Sequence, residues 1–366
     1  MRKEADLAVA QQNTLMQRVT EDLWAAWRSR CLIAALELDV FTAVIRGNGS
    51  AEKIATTIGA SLRGTKRLLD ALTGMQYLVK ESDNYRLPAE LSHLPLMARG
   101  ALWGYVHLVR NTWDLWERLP EAVQSGQSLV KEENGEMSEK IYSRLAESLF
   151  LVHYEKARAA ERQLRPRIGP HIRRVLDVAA GSAVWSIPFA QALPDVRVTA
   201  IDLPGVLPVG RNSAQRMGVA SNYEFIAGDV RAINLGTDAY DLIILGQIMH
   251  DLGEEESRSL LKKVFTALRG TGMVLISESM PNDERTAPVF DLLFSLNLLL
   301  CTKDGDTFTR REYCEWLREA GFSEIETLQE TSSSLILATR SNSSSDAFRK
   351  ESLDHDSMDH PRSVLA

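Results

Sequence analysis

The sequence predicts an α/β chain in which a helical N-terminal module precedes a largely parallel sheet with helices on both faces. Three observations carry this. From Arg174 onward seven short apolar runs recur, and helical segments separate the first five. Before that point apolar residues recur at helical spacing, with one small hairpin among them. The last two runs, Ile325–Leu328 and Leu335–Ala338, are separated only by Gln329–Ser334. A parallel pair needs a crossover of a dozen or more residues, so that short link makes the final strand antiparallel.

The elements follow in order. Residues 11–46 carry Leu15, Val19, Leu23, Trp27, Cys31, Ala34, Ala35 and Leu38 at helical spacing. These apolar positions lie on more than one face, which fits burial against a second copy of the chain. Two short helices follow, Ala51–Ile58 and Leu62–Met75, with Gly59 and Gly64 bracketing the turn. Tyr77–Lys80 and Tyr85–Leu87, joined by the polar stretch 81–84, predict a hairpin. Helix, helix, helix, hairpin is the order of a winged helix. Residues 101–165 read as long helices, with Gly126 and Gly135 marking a loop. The strand runs are Val175–Ala180, Val196–Ile201, Tyr223–Ala227, Leu242–Leu245 and Met273–Ser277, followed by the last two. Helices are expected at 184–192, 207–217 and 255–268. The boundaries expected are therefore 1–100, 101–170, 171–340 and a Ser/Asp-rich tail, 341–366, without apolar periodicity and expected to be disordered.

Composition bounds the partners. The 366 residues are 45% hydrophobic and 25% charged, an ordinary globular balance. A net charge of −7 opposes a polyanion as the main partner. A winged helix raises DNA binding, but residues 1–100 hold 13 Lys/Arg against 11 Asp/Glu, nearly balanced and unclustered. Arg63, Lys66 and Arg67 make the second short helix mildly basic, as any solvated face can be. Cys31, Cys301 and Cys314 form neither a disulfide framework nor a zinc pattern, which suits a reducing cytosol. The N-terminus is polar, and the longest apolar run, Leu292–Leu300, is broken by Ser295 and Asn297. That is short of the roughly 18 residues of a membrane span, so the expectation is a soluble, cytoplasmic protein with no membrane partner.

The chemistry concentrates at the strand ends. The first strand runs into Asp177-Val178-Ala179-Ala180-Gly181-Ser182-Ala183, where small residues let the backbone approach a ligand. The next ends at Asp202, 21 residues beyond Gly181, where a carboxylate can accept both hydroxyls of a ribose. The third leads to Gly228-Asp229-Val230, an acidic and an apolar side chain suited to an adenine. The glycine turn alone is a weak signal; the joint spacing is a strong one.

On these motifs residues from about 170 to 339 resemble the class I S-adenosylmethionine-dependent O-methyltransferases. The whole chain to about 340 resembles the dimeric family that contains caffeic acid, hydroxyindole and many bacterial natural-product O-methyltransferases. The resemblance implies a Rossmann-like seven-stranded sheet with a reversed last strand, a winged-helix-like dimerisation domain, a homodimer and S-adenosylmethionine as cofactor. The family's first motif reads D-V-G-G-G-x-G, so Ala179 and Ala183 stand where glycines are usual, each with a Cβ that resists positive φ. Cofactor contacts are expected from Ala179, Gly181, Asp202, Leu203, Asp229, Val230 and Gly246.

The fourth strand ends in Gly246-Gln247-Ile248-Met249-His250-Asp251-Leu252, and His250 and Asp251 match the family's general base and its neighbour. The sulfonium methyl is already electrophilic, so the protein must align the acceptor and remove its proton. A phenol with a pKa near 10 is mostly protonated at neutral pH, and an imidazole can take that proton as the bond forms, without a metal. Glu278 matches the family glutamate that orients the imidazole. A second family glutamate falls at or beside Thr307, next to Asp306.

Softer acceptor-pocket candidates are Trp103, Tyr105, Trp113, Trp116, Phe290, Phe294, Asn297 and Leu298, with Asp251 alongside. Aromatics at helical spacing are more often core, but Asn297 amid leucines needs a hydrogen-bond partner if buried. An apolar pocket implies a flat aromatic or polyketide-like acceptor. Two other readings stay open: the same fold used for C-methylation, hydroxylation or pericyclic catalysis, and a winged-helix DNA-binding regulator.

Overall fold

The computed structural model describes residues 2–46, 49–94, 101–130, 135–168, 171–328 and 335–340. The expected disordered tail, 341–366, and the link 329–334 lie outside them. The chain forms two compact units, Met1–Val106 and His107–Ala366.

The first unit opens with helix α1 (Arg2–Glu37), followed by α2 (Val40–Arg46), α3 (Ala51–Thr57) and α4 (Leu62–Gly74). Ser50 and Ser61 begin α3 and α4, each accepting a backbone N–H of the first turn on its side chain. Ile33, Leu36, Phe41, Val44, Ile54, Leu69, Leu72 and Leu78 form its core. The hairpin β1 (Val79–Glu81) and β2 (Asn84–Arg86) turns at Ser82, whose φ is 55°. Tyr85 closes it onto α4 by donating its hydroxyl to Asp70 at 2.7 Å. Lys66, one of the basic residues of α4, lies 3.2 Å from Glu52. Residues 14–27 of α1 bury little: Leu15, Met16, Val19, Leu23, Trp24 and Trp27 are exposed, Leu23 and Trp27 by 71% and 70%. Helix α5 (Ala101–Glu117) spans the division into units.

The second unit continues with α6 (Leu119–Ser125) and the long α7 (Gly135–Ile168). Strands and helices then alternate: β3 (Arg174–Val178), α8 (Ile187–Ala192), β4 (Arg197–Asp202), α9 (Leu207–Arg216), β5 (Tyr223–Ala227), β6 (Tyr240–Gly246), α10 (Met249–Ala267) and β7 (Leu268–Ser277). Helices α11 (Val289–Cys301) and α12 (Arg310–Ala320) precede β8 (Phe322–Leu328) and β9 (Leu335–Arg340). The sheet order is β5-β4-β3-β6-β7-β9-β8. The first five strands are parallel, and β9 runs antiparallel to both β7 and β8, which is the reversed last strand. Side chains of β6 alternate between two cores. Ile243 and Leu245 join Leu261, Val264, Tyr313 and Trp316 on one face; Leu242 and Ile244 join Ala157, Leu164, Ile187 and Phe189 on the other. Burial on both faces is why these strands read as unbroken apolar runs.

Among the boundaries that depart from expectation, α1 begins at Arg2 and β7 at Leu268, and two helix starts differ at the strand ends where ligands bind in such sheets. The helix expected at 184–192 begins only at Ile187, after a run of turns in which Ala183 takes φ 56°. The helix expected at 255–268 begins at Met249 and breaks at Gly253, where φ is 75° and ψ −178°. A Cβ on Gly253 would overlap the carbonyl of Asp304, so only glycine lets the chain pass there. That break isolates a single turn, 249–252, and His250 stands in it. Among the described residues no helix is long and apolar enough to cross a membrane.

Candidate active site

Glu278, at the end of β7, organises the turn that carries His250. Its Oε1 accepts the N–H groups of Ile248 and Met249 at 2.8 and 2.7 Å, two donors that the start of a helix leaves unsatisfied. Its Oε2 lies 2.6 Å from His250 Nδ1. One buried carboxylate therefore fixes both the backbone of the turn and the orientation of the ring. With Nδ1–H donating to Glu278, Nε2 is the nitrogen that gains and loses the titrating proton.

His250 is 7% exposed and Glu278 1%. Burial works against a charged ring here, but the charges of Glu278 and Asp251 and the bond to Glu278 outweigh it and hold His250 up at about 9. Asp251 Oδ1 stands 3.8 Å from Nε2. Phe294 packs edge-on against the imidazole, 5.1 Å between centroids, and stacks in turn on Phe290. The backbone N–H of Asp306 donates to the carbonyl of His250 at 3.0 Å.

Neither candidate for the second carboxylate is bound to the ring. The Asp306 side chain accepts from Ser295 at 2.5 Å, from the Thr307 N–H at 2.7 Å and from Arg285. The Thr307 hydroxyl donates to the carbonyl of Asp291 at 3.2 Å. Asp251 is the second acid beside His250.

Among the pocket candidates, Trp116 Nε1 donates to Asn297 Oδ1 at 3.1 Å, joining α5 to α11. That is the partner the polar residue among leucines required. Trp103 and Tyr105 belong to the first unit.

The cofactor candidates gather at the ends of β3, β4 and β5, with Gly246 at the end of β6. Ala179, Gly181 and Ala183 all take left-handed φ, 53°, 55° and 56°. The alanines thus adopt the glycine conformation despite the Cβ. Asp202, 7% exposed, accepts the N–H of Gly181 at 2.6 Å on one oxygen and of Leu203 at 2.7 Å on the other. Gly228 donates its N–H to the carbonyl of Asp202, tying the third motif to the second. The Asp229 carboxylate is half-exposed, with the Arg231 N–H at 2.9 Å, and Val230 is buried beside it. Below the turn Ser186 donates to Asp177 at 2.5 Å and meets the Tyr223 hydroxyl at 2.9 Å. Burial pushes the Asp177 carboxyl up to about 7.

Sequence reasoning missed two residues here. Trp185 fills the space above Gly246, where a Cβ would overlap its indole, and lies 5.7 Å from the His153 ring. His153 is buried on α7, and its Nδ1 has no partner among the described residues. Burial, with the charges of Lys156 and His250, pushes this histidine down to about 4. Only the buried stripe of α7 hinted at it; the contact with Trp185 is tertiary.

Comparison with known proteins gives the geometry its context. Residues 134–323 match the O-methyltransferase domain family, and residues 22–93 match the O-methyltransferase dimerisation domain. Over 308 residues the chain is 30% identical to the 3-hydroxy-5-methyl-1-naphthoate 3-O-methyltransferase of Streptomyces sahachiroi, covering 83% of this chain and 88% of that one. It is 29% identical to the tetracenomycin polyketide synthesis 8-O-methyl transferase TcmO of Streptomyces glaucescens, covering 83% and 90%. The fold is shared with human N-acetylserotonin methyltransferase, solved in complex with S-adenosylmethionine, at TM-score 0.75 and 21% identity, covering 89% and 98%.

Proposed function

The chain belongs to the O-methyltransferase family with an N-terminal dimerisation domain, and from that premise we propose that it methylates a hydroxyl of a flat aromatic or polyketide-like molecule, with His250 as general base. It is an S-adenosylmethionine-dependent enzyme. The residues present fit that cofactor: a buried carboxylate, Asp202, ends one parallel strand and holds the N–H of Gly181, in a turn of small residues with left-handed φ at Ala179, Gly181 and Ala183. Asp202 and Leu203 would hold the ribose, Asp229 and Val230 the adenine, and Ala179, Gly181 and Gly246 the remainder. S-adenosylmethionine supplies the electrophilic methyl group.

The observation that carries the mechanism is the pairing of His250 Nδ1 with Glu278 at 2.6 Å. It aims Nε2 away from Glu278, with its lone pair available for the acceptor's proton. As the proton arrives, Glu278 and Asp251 stabilise the imidazolium. Phe294 and the Trp116–Asn297 pair shape the acceptor side, the aromatics excluding water and the amide orienting one polar substituent. Two relatives named for a hydroxynaphthoate and a tetracenomycin polyketide support a fused aromatic acceptor. Purified protein incubated with methyl-labelled cofactor and a panel of mono- and polycyclic phenols is expected to place label on oxygen. Label on carbon or nitrogen, or on none of the panel, would contradict this reading.

On this proposal residues 1–100 pair two copies, 101–170 contribute to the acceptor pocket, and 171–340 hold the cofactor. The exposed stripe on α1, from Leu15 to Trp27, supports a homodimer, since isolated domains seldom leave so many large apolar side chains in water. Light scattering at micromolar concentration is expected to give about twice the chain mass of 40.8 kDa. A monodisperse monomer would overturn the pairing. The same stripe changed to Ser at Leu23 and Trp27 is expected to raise the monomer fraction.

A further inference from the structure

Glu139, Ser143 and Ala146 are spaced i, i+4 and i+7 in α7, so they share one face of the helix. All three meet the two backbone turns assigned above to the cofactor. Glu139 Oε2 accepts the N–H of Gly205 at 2.7 Å, and Ser143 donates its hydroxyl to the Gly205 carbonyl at 2.8 Å. Both polar backbone groups of Gly205 are thus taken by α7. A Cβ on Gly205 would overlap the Glu139 carboxylate, so glycine is what lets the helix come this close. The Ala146 methyl lies 3.4 Å from where a Cβ on Gly181 would stand. On the neighbouring face, Tyr142 senses the charge of Asp251, which raises its phenol. Behind these contacts Asp202 is buried, and burial, with the nearby Glu139 charge, raises its carboxyl.

The start of α7 therefore packs against both of the turns that flank Asp202. Resting on the cofactor reading above, we propose that this stretch of α7 is a lid over the cofactor edge. Glu139 and Ser143 latch it on Gly205 and act as positioning residues that set the rate at which S-adenosylmethionine enters and leaves. A latch that closes the free and the loaded enzyme alike slows both directions, because a ligand shifts such an equilibrium only by its differential affinity for the two states. Lid opening of this kind sets turnover in many enzymes.

The test is stopped-flow tryptophan fluorescence with S-adenosylmethionine on the full chain. Combining Glu139→Ala with Ser143→Ala is expected to raise the association and dissociation rate constants together, each by about tenfold, with Kd moving by less than threefold. Glu139→Gln keeps a carbonyl that can accept the Gly205 N–H and is expected to stay near wild type in both rates. Alanine favours helix at both positions, so α7 is retained, which far-UV circular dichroism checks. A weakened Kd with an unchanged association rate would make the contact merely structural and overturn the proposal, as would rates within twofold of wild type. If the wild type itself binds no S-adenosylmethionine, the cofactor reading falls and takes the latch with it.

Discussion

Replacing His250 with alanine is expected to lower turnover on a phenolic acceptor by about 10²–10⁴-fold at neutral pH, the usual range for a positioned base. Cofactor affinity should stay within about threefold, which is under 1 kcal/mol. The pH dependence makes the role specific. A base acts in its unprotonated form, and His250 is held up at about 9 by Glu278 and Asp251 against the effect of burial. At neutral pH most rings are then protonated, and the share with a free Nε2 lone pair grows as pH rises. Wild-type kcat/KM is therefore expected to climb about tenfold per pH unit and level off near 9. The alanine variant has no such limb; its rate follows ionisation of the acceptor itself, near pH 10 for a phenol. The gap between the two should close as pH rises past the acceptor's pKa. A gap that stays equally wide there would mean that His250 places the acceptor and removes no proton.

Glu278→Gln separates charge from geometry. The amide carbonyl can still accept from the turn or the ring, but the negative charge that favours imidazolium is gone. The sign follows: His250 falls toward its ordinary range near 6.5, and the rising limb of the profile moves to lower pH. Plateau activity should drop, though less than in His250→Ala, because the base is weaker and less firmly oriented. An unshifted limb would assign it to some other group, and Asp251, 3.8 Å from Nε2, would be the next residue to vary.

How much of this was legible in the sequence depends on whether a residue's role is local. The strands β3 to β7 could be read because both of their faces are buried, which leaves apolar runs with polar ends. The reversed β9 followed from chain length alone. His250, Glu278 and Asp202 stood out because strand ends are where such sheets bind ligands. The starts of α8 and α10 were misplaced: α8 follows a run of turns that includes the left-handed Ala183, and α10 begins early, at Met249, where the distant Glu278 accepts its first N–H groups. Nothing in the sequence brings Trp185 over Gly246 or sets Glu139 against Gly205; those contacts join segments 61 to 66 residues apart. The place of the second family glutamate was narrowed to Asp306 or Thr307, and neither side chain reaches the His250 ring. The reason is geometric: Asp306 approaches His250 only through its backbone N–H, while its carboxylate turns toward Arg285 and Ser295.

Asp202→Ala is expected to weaken S-adenosylmethionine binding at least tenfold by calorimetry, about 1.4 kcal/mol. Hydrogen bonds to a charged group are each worth roughly 1.5–3 kcal/mol, and Asp202 serves two sides at once. It holds the N–H groups of Gly181 and Leu203, and on the proposed reading its remaining lone pairs would accept from the ribose hydroxyls. Its loss therefore loosens the turn as well as removing a ligand contact, so thermal stability should fall with affinity. Glycine at the two alanines acts on a different quantity. Ala179 and Ala183 already hold φ 53° and 56°, a conformation that costs an L-residue roughly 1–2 kcal/mol. Glycine relieves that strain but adds backbone freedom worth roughly 0.5–1 kcal/mol to the unfolded chain. At Ala183, fully buried, it also gives up a methyl worth about 0.8 kcal/mol, so the balance there is near zero. At Ala179, only partly buried, it favours the folded state by about 0.5–1 kcal/mol. Ala179→Gly should then raise Tm by a few degrees and Ala183→Gly should leave it nearly unchanged, while cofactor affinity stays close to wild type in both, because the turn is already formed before the ligand arrives. A large gain in affinity without a gain in Tm would show instead that the alanines resist a further change in the turn that binding requires.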